Sequence, residues 1–164
     1  MREHRNRRKD FLKLHFLVDV RSLLILSFKI TSGNMPDAKQ VPYLMKLIDF
    51  LAAVCADKGY LSRKVCDTIA KHGAFPYIPL KKNTKGWSMG SKAWREMVLL
   101  YRKNKKLFLK MYHRRSLAES VVSAVKRRFD HRLVSRKRSY QKKELMLKVI
   151  TYNLSIVART TVKA

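Results

Sequence analysis

The chain has 164 residues and a mass of 19.3 kDa, a length that suits one domain with a core of its own. Its 38 Lys+Arg against 11 Asp+Glu give a formal net charge of +27, and self-repulsion on that scale calls for a polyanion, nucleic acid first and an anionic membrane surface second. With 46% hydrophobic and 10% aromatic residues the composition excludes a disordered chain. No apolar run nears the ~18 residues of a membrane span, and LLILSF is followed by no cleavage site, so neither membrane insertion nor export is expected. The expected location is cytoplasmic, on the nucleoid.

Residues 1–10, MREHRNRRKD, read as a basic leader. From Leu12 to Val20 apolar and polar residues alternate, with Leu12, Leu14, Phe16, Val18 and Val20 on one face and Lys13, His15, Leu17 and Asp19 on the other, which predicts a half-buried strand. Leu24, Leu26, Phe28 and Ile30 repeat the pattern, so a hairpin turning around Arg21 and Ser22 is expected. Pro36 and Asp37 start a helix whose apolar face is Val41, Leu44, Met45, Leu47 and Ile48. Leu51–Ala56 is a short continuous apolar run and predicts a buried central strand, which puts Asp57 at its carboxyl end. Ser62 caps a helix that Gly73 stops after His72, and Phe75–Leu80 returns as a strand.

Past residue 82 the composition shifts: 1–82 hold 16 basic and 7 acidic residues, 83–164 hold 22 and 4. After the loop KKNTKGWSMGS, three helical stripes follow. They are Trp94, Met97, Val98, Tyr101 and Phe108; Leu117, Val121, Ala124, Val125 and Phe129; and Met146, Val149, Ile150, Asn153, Leu154 and Val157. The cationic stretch DHRLVSRKRSYQKK separates the last two. Cys55 and Cys66 read as reduced core thiols, and the five histidines show no zinc spacing.

The most specific local pattern is YHRRSLAESVVSAVK, with Tyr112, Arg115, Glu119 and Lys126 at spacings Y-x2-R-x3-E-x6-K. At about 100° per residue the four fall within roughly 60° of one helical face, so they would point at one site. A competing reading makes Ser116 and Glu119 a capping box, S-x-x-E, in which case Tyr112 and Arg115 precede the helix.

KLHFLVDVRSLLILSFKITSGNMPDAKQVPYL, ADKGYLSRKVCDTIAKHGAFPYIPLKKN and YHRRSLAESVVSAVKRRF, in that order, resemble the catalytic core of DDE-type insertion-sequence transposases, groups four and five. The resemblance covers most of residues 10–157. It implies an α/β, ribonuclease H-like fold with a mixed sheet flanked by helices over residues 11–159, followed by a tail at 160–164. It further implies that Asp57 is the second catalytic and metal-holding acid and Glu119 the third. Mg²⁺ or Mn²⁺ would be the cofactor, in a two-metal phosphoryl transfer. Arg115 and Lys126 would bind phosphate, joined by Arg127, Arg136, Lys137 and Arg138, with Tyr112 near the strand end. The partner is DNA, transposon ends and target, on which copies of the chain could assemble.

In this family the first aspartate lies on a strand upstream of the hairpin. MREHRNRRKD has no apolar residue after Met1 and cannot supply that strand. The expectation is therefore a truncated copy, lacking the first strand and its acid, that binds DNA without cutting it; Asp19 is the fallback acid. The rival class is a non-enzymatic basic nucleic-acid-binding protein, to which charge alone points equally well.

Overall fold

A computed structural model describes residues 11–84, 90–130 and 132–162; the leader with Asp10, residues 85–89 of the loop, His131 and the last two residues of the tail lie outside the described residues. The elements are β1 (Leu12–Val18), β2 (Ile25–Ser32), a 3-10 turn (Asp37–Gln40), α1 (Val41–Met45), β3 (Ala53–Cys55), a second 3-10 turn (Lys58–Tyr60), α2 (Arg63–Lys71), β4 (Phe75–Tyr77), α3 (Lys92–Lys103), α4 (Lys105–Tyr112), α5 (Arg115–Phe129) and α6 (Arg138–Thr161). The fold is mixed α/β. Its strands form two separate two-stranded sheets, antiparallel β1–β2 and parallel β3–β4.

The hairpin forms as expected, with two corrections. The first strand ends at Val18 rather than Val20, because Asp19 opens the turn: its carboxylate accepts hydrogen bonds from the Ser22 N–H (2.9 Å) and hydroxyl (2.6 Å). An irregularity at Leu17/Val18 then pairs Val18 with Ile25. The extra residue reverses the facing at the start of β2, so Ile25 is buried and Leu26, expected inside, is exposed.

His15 is the second departure from simple alternation. Its face was expected to be polar, yet the ring is 2% exposed. His15 Nε2 and Thr31 Oγ1 are hydrogen-bonded at 2.8 Å, and Nδ1 lies 3.4 Å from Asp37 Oδ1. Burial lowers the His15 pKa below 6.5 against the opposing pull of Asp37. A histidine held neutral in the fold stabilises it fully above the unfolded pKa and loses that contribution as pH falls from 6.5 toward the folded value. The thermal midpoint should therefore drop between pH 7.5 and 5.5, and His15→Gln should flatten that part of the profile; an equally steep profile in the variant would contradict it.

The helix predicted from Pro36 splits into the 3-10 turn and the five-residue α1, and it ends before Leu47, which is 84% exposed. β3 covers three residues, each half-buried, and among the described residues pairs on one side alone, so there it is not the buried central strand expected. The α2 signals hold: the Ser62 hydroxyl accepts from the Val65 N–H, and Gly73 takes φ +73° just beyond the helix. The next strand stops at Tyr77 instead of Leu80.

Two clusters make the core. One gathers α1–α4 and β4 around Met45, Ile69, Met97 and Phe108, with Cys66 fully buried in it. Asn104 breaks the first predicted stripe into two helices, its side chain accepting from the Leu107 N–H, but Met97 and Phe108 still reach the same core. The other cluster packs α5 and α6 on the hairpin through Ile25, Val121, Val149 and Tyr152. The third stripe turns by part of a revolution: Val149, Tyr152 and Asn153 face inward, while Met146, Ile150, Leu154 and Val157 are exposed. Asn153 shows why. Its amide accepts from the Ile25 N–H (2.9 Å) and donates to the Ile25 carbonyl (2.8 Å), satisfying two strand-edge groups that would cost about 1–3 kcal/mol each if buried unpaired.

Candidate active site

Asp57 follows β3 by two residues and starts the second 3-10 turn, its carbonyl accepting from the Tyr60 N–H at 2.9 Å. Tyr112 closes α4. Only His113 and Arg114 separate it from α5, both with helical backbone angles, and Arg115 follows Tyr112 by three residues. Ser116 lies within α5 and donates to the His113 carbonyl, and the helix cap has no side-chain hydrogen bond. The capping-box reading is overturned, and the Glu119 carboxylate is available to side chains.

These elements converge. Arg115 Nη1 lies 3.1 Å from Asp57 Oδ2 and Arg115 Nη2 lies 2.9 Å from Glu119 Oε1, so one guanidinium bridges both acids. The Tyr112 hydroxyl donates to Asp57 Oδ1 at 3.4 Å, and the Arg115 guanidinium stands over the Tyr112 ring at 5.6 Å. Burial alone would lower the Arg115 pKa; Asp57, Tyr112 and Glu119 reverse that and raise it. Burial raises the Tyr112 hydroxyl, Asp57 adding to the rise and Arg115 opposing it. Both carboxylates are more than half exposed, so the ion pairs are each worth at most about 1 kcal/mol.

Asp57, Arg115 and Glu119 stand at a cleft of about 350 Å³ between β1 and β3. Along α5, Glu119 shares a shallow groove with Ser120, Ser123, Lys126 and Arg127. Arg127 also lines a second groove, between α5 and α6, with Arg128 and Arg159. The last two carry no signal in the sequence, because their nearness depends on how α6 packs. Arg136, Lys137 and Arg138 sit in the α5–α6 connection and at the start of α6. That connection is pinned to α6: the Glu144 carboxylate accepts from the Val134 and Ser135 N–H groups, and Lys148 donates to the Arg132 carbonyl. The Ser135 N–H leads the causes that push the Glu144 carboxyl down to about 2. Asp19 is occupied in the hairpin turn and does not line the cleft.

Among the described residues no group of three or more His, Cys, Asp and Glu side chains is placed to hold a metal ion, and no helix is long and apolar enough to cross a membrane. Cys55, half-buried, donates its thiol to the Met111 carbonyl, and burial pushes its pKa up to about 11.

An acid two residues past a strand and a second acid on a helix, bridged by one arginine, thus meet in a mixed α/β domain of net charge +27. The sequence profile of the transposase DDE domain matches residues 2–154, and the chain belongs to that family. Its function is accordingly transposition, with DNA as partner. No curated protein and no solved structure matches the chain.

Proposed function

We propose that Asp57 and Glu119 are the second and third acids of a ribonuclease H-like DDE site, the kind of site that cleaves and joins DNA strands with Mg²⁺ or Mn²⁺ when its first acid is also in place. The observation that carries this reading is the Arg115 bridge, which brings together acids 62 positions apart in sequence around one positive charge. Hard carboxylate oxygens suit Mg²⁺ or Mn²⁺, and the guanidinium that now neutralises both acids supports a place for positive charge between them. When bound, such ions activate a water or 3′-hydroxyl and stabilise the leaving oxygen of an in-line attack at phosphorus. The protein's own part is positioning. Asp57 and Glu119 would hold the cation, Arg115 would bind phosphate beside it, and Tyr112 hydrogen-bonds Asp57. Lys126 and Arg127 continue the phosphate path along α5, and Arg136, Lys137 and Arg138 extend it.

Two carboxylates serve one shared ion better than the pair that strand transfer uses. The purified chain should therefore bind DNA but leave transposon-end duplexes uncut across a Mg²⁺ and Mn²⁺ series, as read on a denaturing gel. Metal-dependent cleavage that disappears in Glu119→Gln would overturn this expectation and would point to a further acid in this chain.

A further inference from the structure

α6 turns one stripe away from the fold. Opposite the inward face of Val149, Tyr152 and Asn153 lie Met146, Leu147, Ile150, Leu154 and Val157, between 44% and 63% exposed. The outer face of a helix is where a chain of net charge +27 would ordinarily carry its cations. Residues 149–158, VITYNLSIVA, instead hold no charge. The cations on either side point elsewhere: Lys148 donates to the Arg132 carbonyl, and Arg159 lines the groove between α5 and α6. A continuous aliphatic stripe in such surroundings marks a contact with another macromolecule.

The spacing indicates which kind. Leu147, Ile150, Leu154 and Val157 follow one another at intervals of three, four and three residues, the apolar seam of a two-helix coiled coil. Thr151 and Ala158 border it on one side, Met146 and Asn153 on the other, so the flanking positions that would select a charged partner are neutral. The stripe is also complementary to itself. Laid antiparallel on its own copy about Tyr152, it sets Leu147 against Val157 and Ile150 against Leu154. Met146 then meets Ala158, and Lys143, the one cation in line with the seam, meets Thr161. A parallel pair would oppose the two Lys143 ammonium groups and align the two helix dipoles.

We propose that α6 is a self-association seam on which two copies of the chain pair antiparallel without DNA. The contact is isologous, as a two-fold axis requires. Its residues are not those of the cleft at Asp57 and Glu119, so it does not rest on the metal reading. Two copies of charge +27 repel, and salt screens that repulsion while burial of aliphatic surface persists. Pairing therefore strengthens as salt rises, whereas assembly on DNA weakens.

The test is sedimentation equilibrium of the intact, nucleic-acid-free chain at micromolar concentration, in ~0.15 M and ~1 M salt. The expected mass is twice 19.3 kDa, with tighter pairing at the higher salt. Leu147→Glu and Val157→Lys, each at an exposed position and checked for folding by circular dichroism, should each give a monomer. A one-to-one mixture of the two variants should restore the dimer, because the new carboxylate of one meets the new ammonium of the other. In a parallel pair those groups lie about 15 Å apart along the axis, and the mixture stays monomeric. A wild-type monomer at both salts would overturn the proposal, and its binding to phosphatidylserine vesicles, lost in Leu147→Glu, would give the stripe to a lipid surface instead. A dimer that survives either substitution or weakens with salt would also overturn it, as would a mixture that fails to pair.

Discussion

Replacing Arg136, Lys137 and Arg138 together by alanine should flatten the salt dependence of duplex-DNA binding by about 2.7 in the slope of log affinity against log salt, if each of the three neutralises one phosphate. The basis is geometric as well as compositional. Glu144 and Lys148 tie the preceding backbone, Arg132 to Ser135, onto α6, so the three cations that follow leave a fixed platform. Phosphate contacts carry no sequence information, and affinity for unrelated duplexes should fall by the same factor. Binding isotherms between 50 and 200 mM salt measure this directly. An unchanged slope would move the DNA to the grooves around Arg127, Arg128 and Arg159.

Arg115→Met should tighten Mn²⁺ binding by up to roughly thirtyfold, because the metal no longer competes with two ion pairs each worth up to about 1 kcal/mol. The same variant loses a phosphate ligand, so DNA binding should weaken while metal binding strengthens. Opposite signs from one substitution distinguish a displaceable cation from a merely structural bridge. Weaker Mn²⁺ binding in Arg115→Met would show instead that the guanidinium positions the acids for the metal.

Much of this was legible in the residues. Alternation predicted β1, and Ser62 with Gly73 bounded α2, because local backbone chemistry decides those features. The Y-x2-R-x3-E spacing predicts three side chains on one face, and the helical backbone at His113 and Arg114 lets Tyr112, Arg115 and Glu119 meet. What failed depended on distant contacts. Leu26 faces outward through a one-residue irregularity in pairing, and the inward face of α6 is set by Asn153 meeting Ile25, 128 positions away. His15 is buried because Thr31 and Asp37 surround it, which alternation within β1 cannot report. The capping box failed because the helix continues back through Arg115, leaving Ser116 no terminus to cap. Arg115 bridging Asp57 was not visible in spacing at all, since the partner lies on another element.

The central claim is that Asp57 and Glu119 together hold one divalent ion. Electron paramagnetic resonance of Mn²⁺ titrated into the wild-type chain, Asp57→Asn and Glu119→Gln counts bound ions without requiring strand cleavage. The expected result is one saturable site in the wild type, weakened roughly tenfold or more in each variant and by no more in the double variant than loss of the shared site allows. Equal Mn²⁺ binding in all of them would contradict the claim and leave the two acids as partners of Arg115 alone.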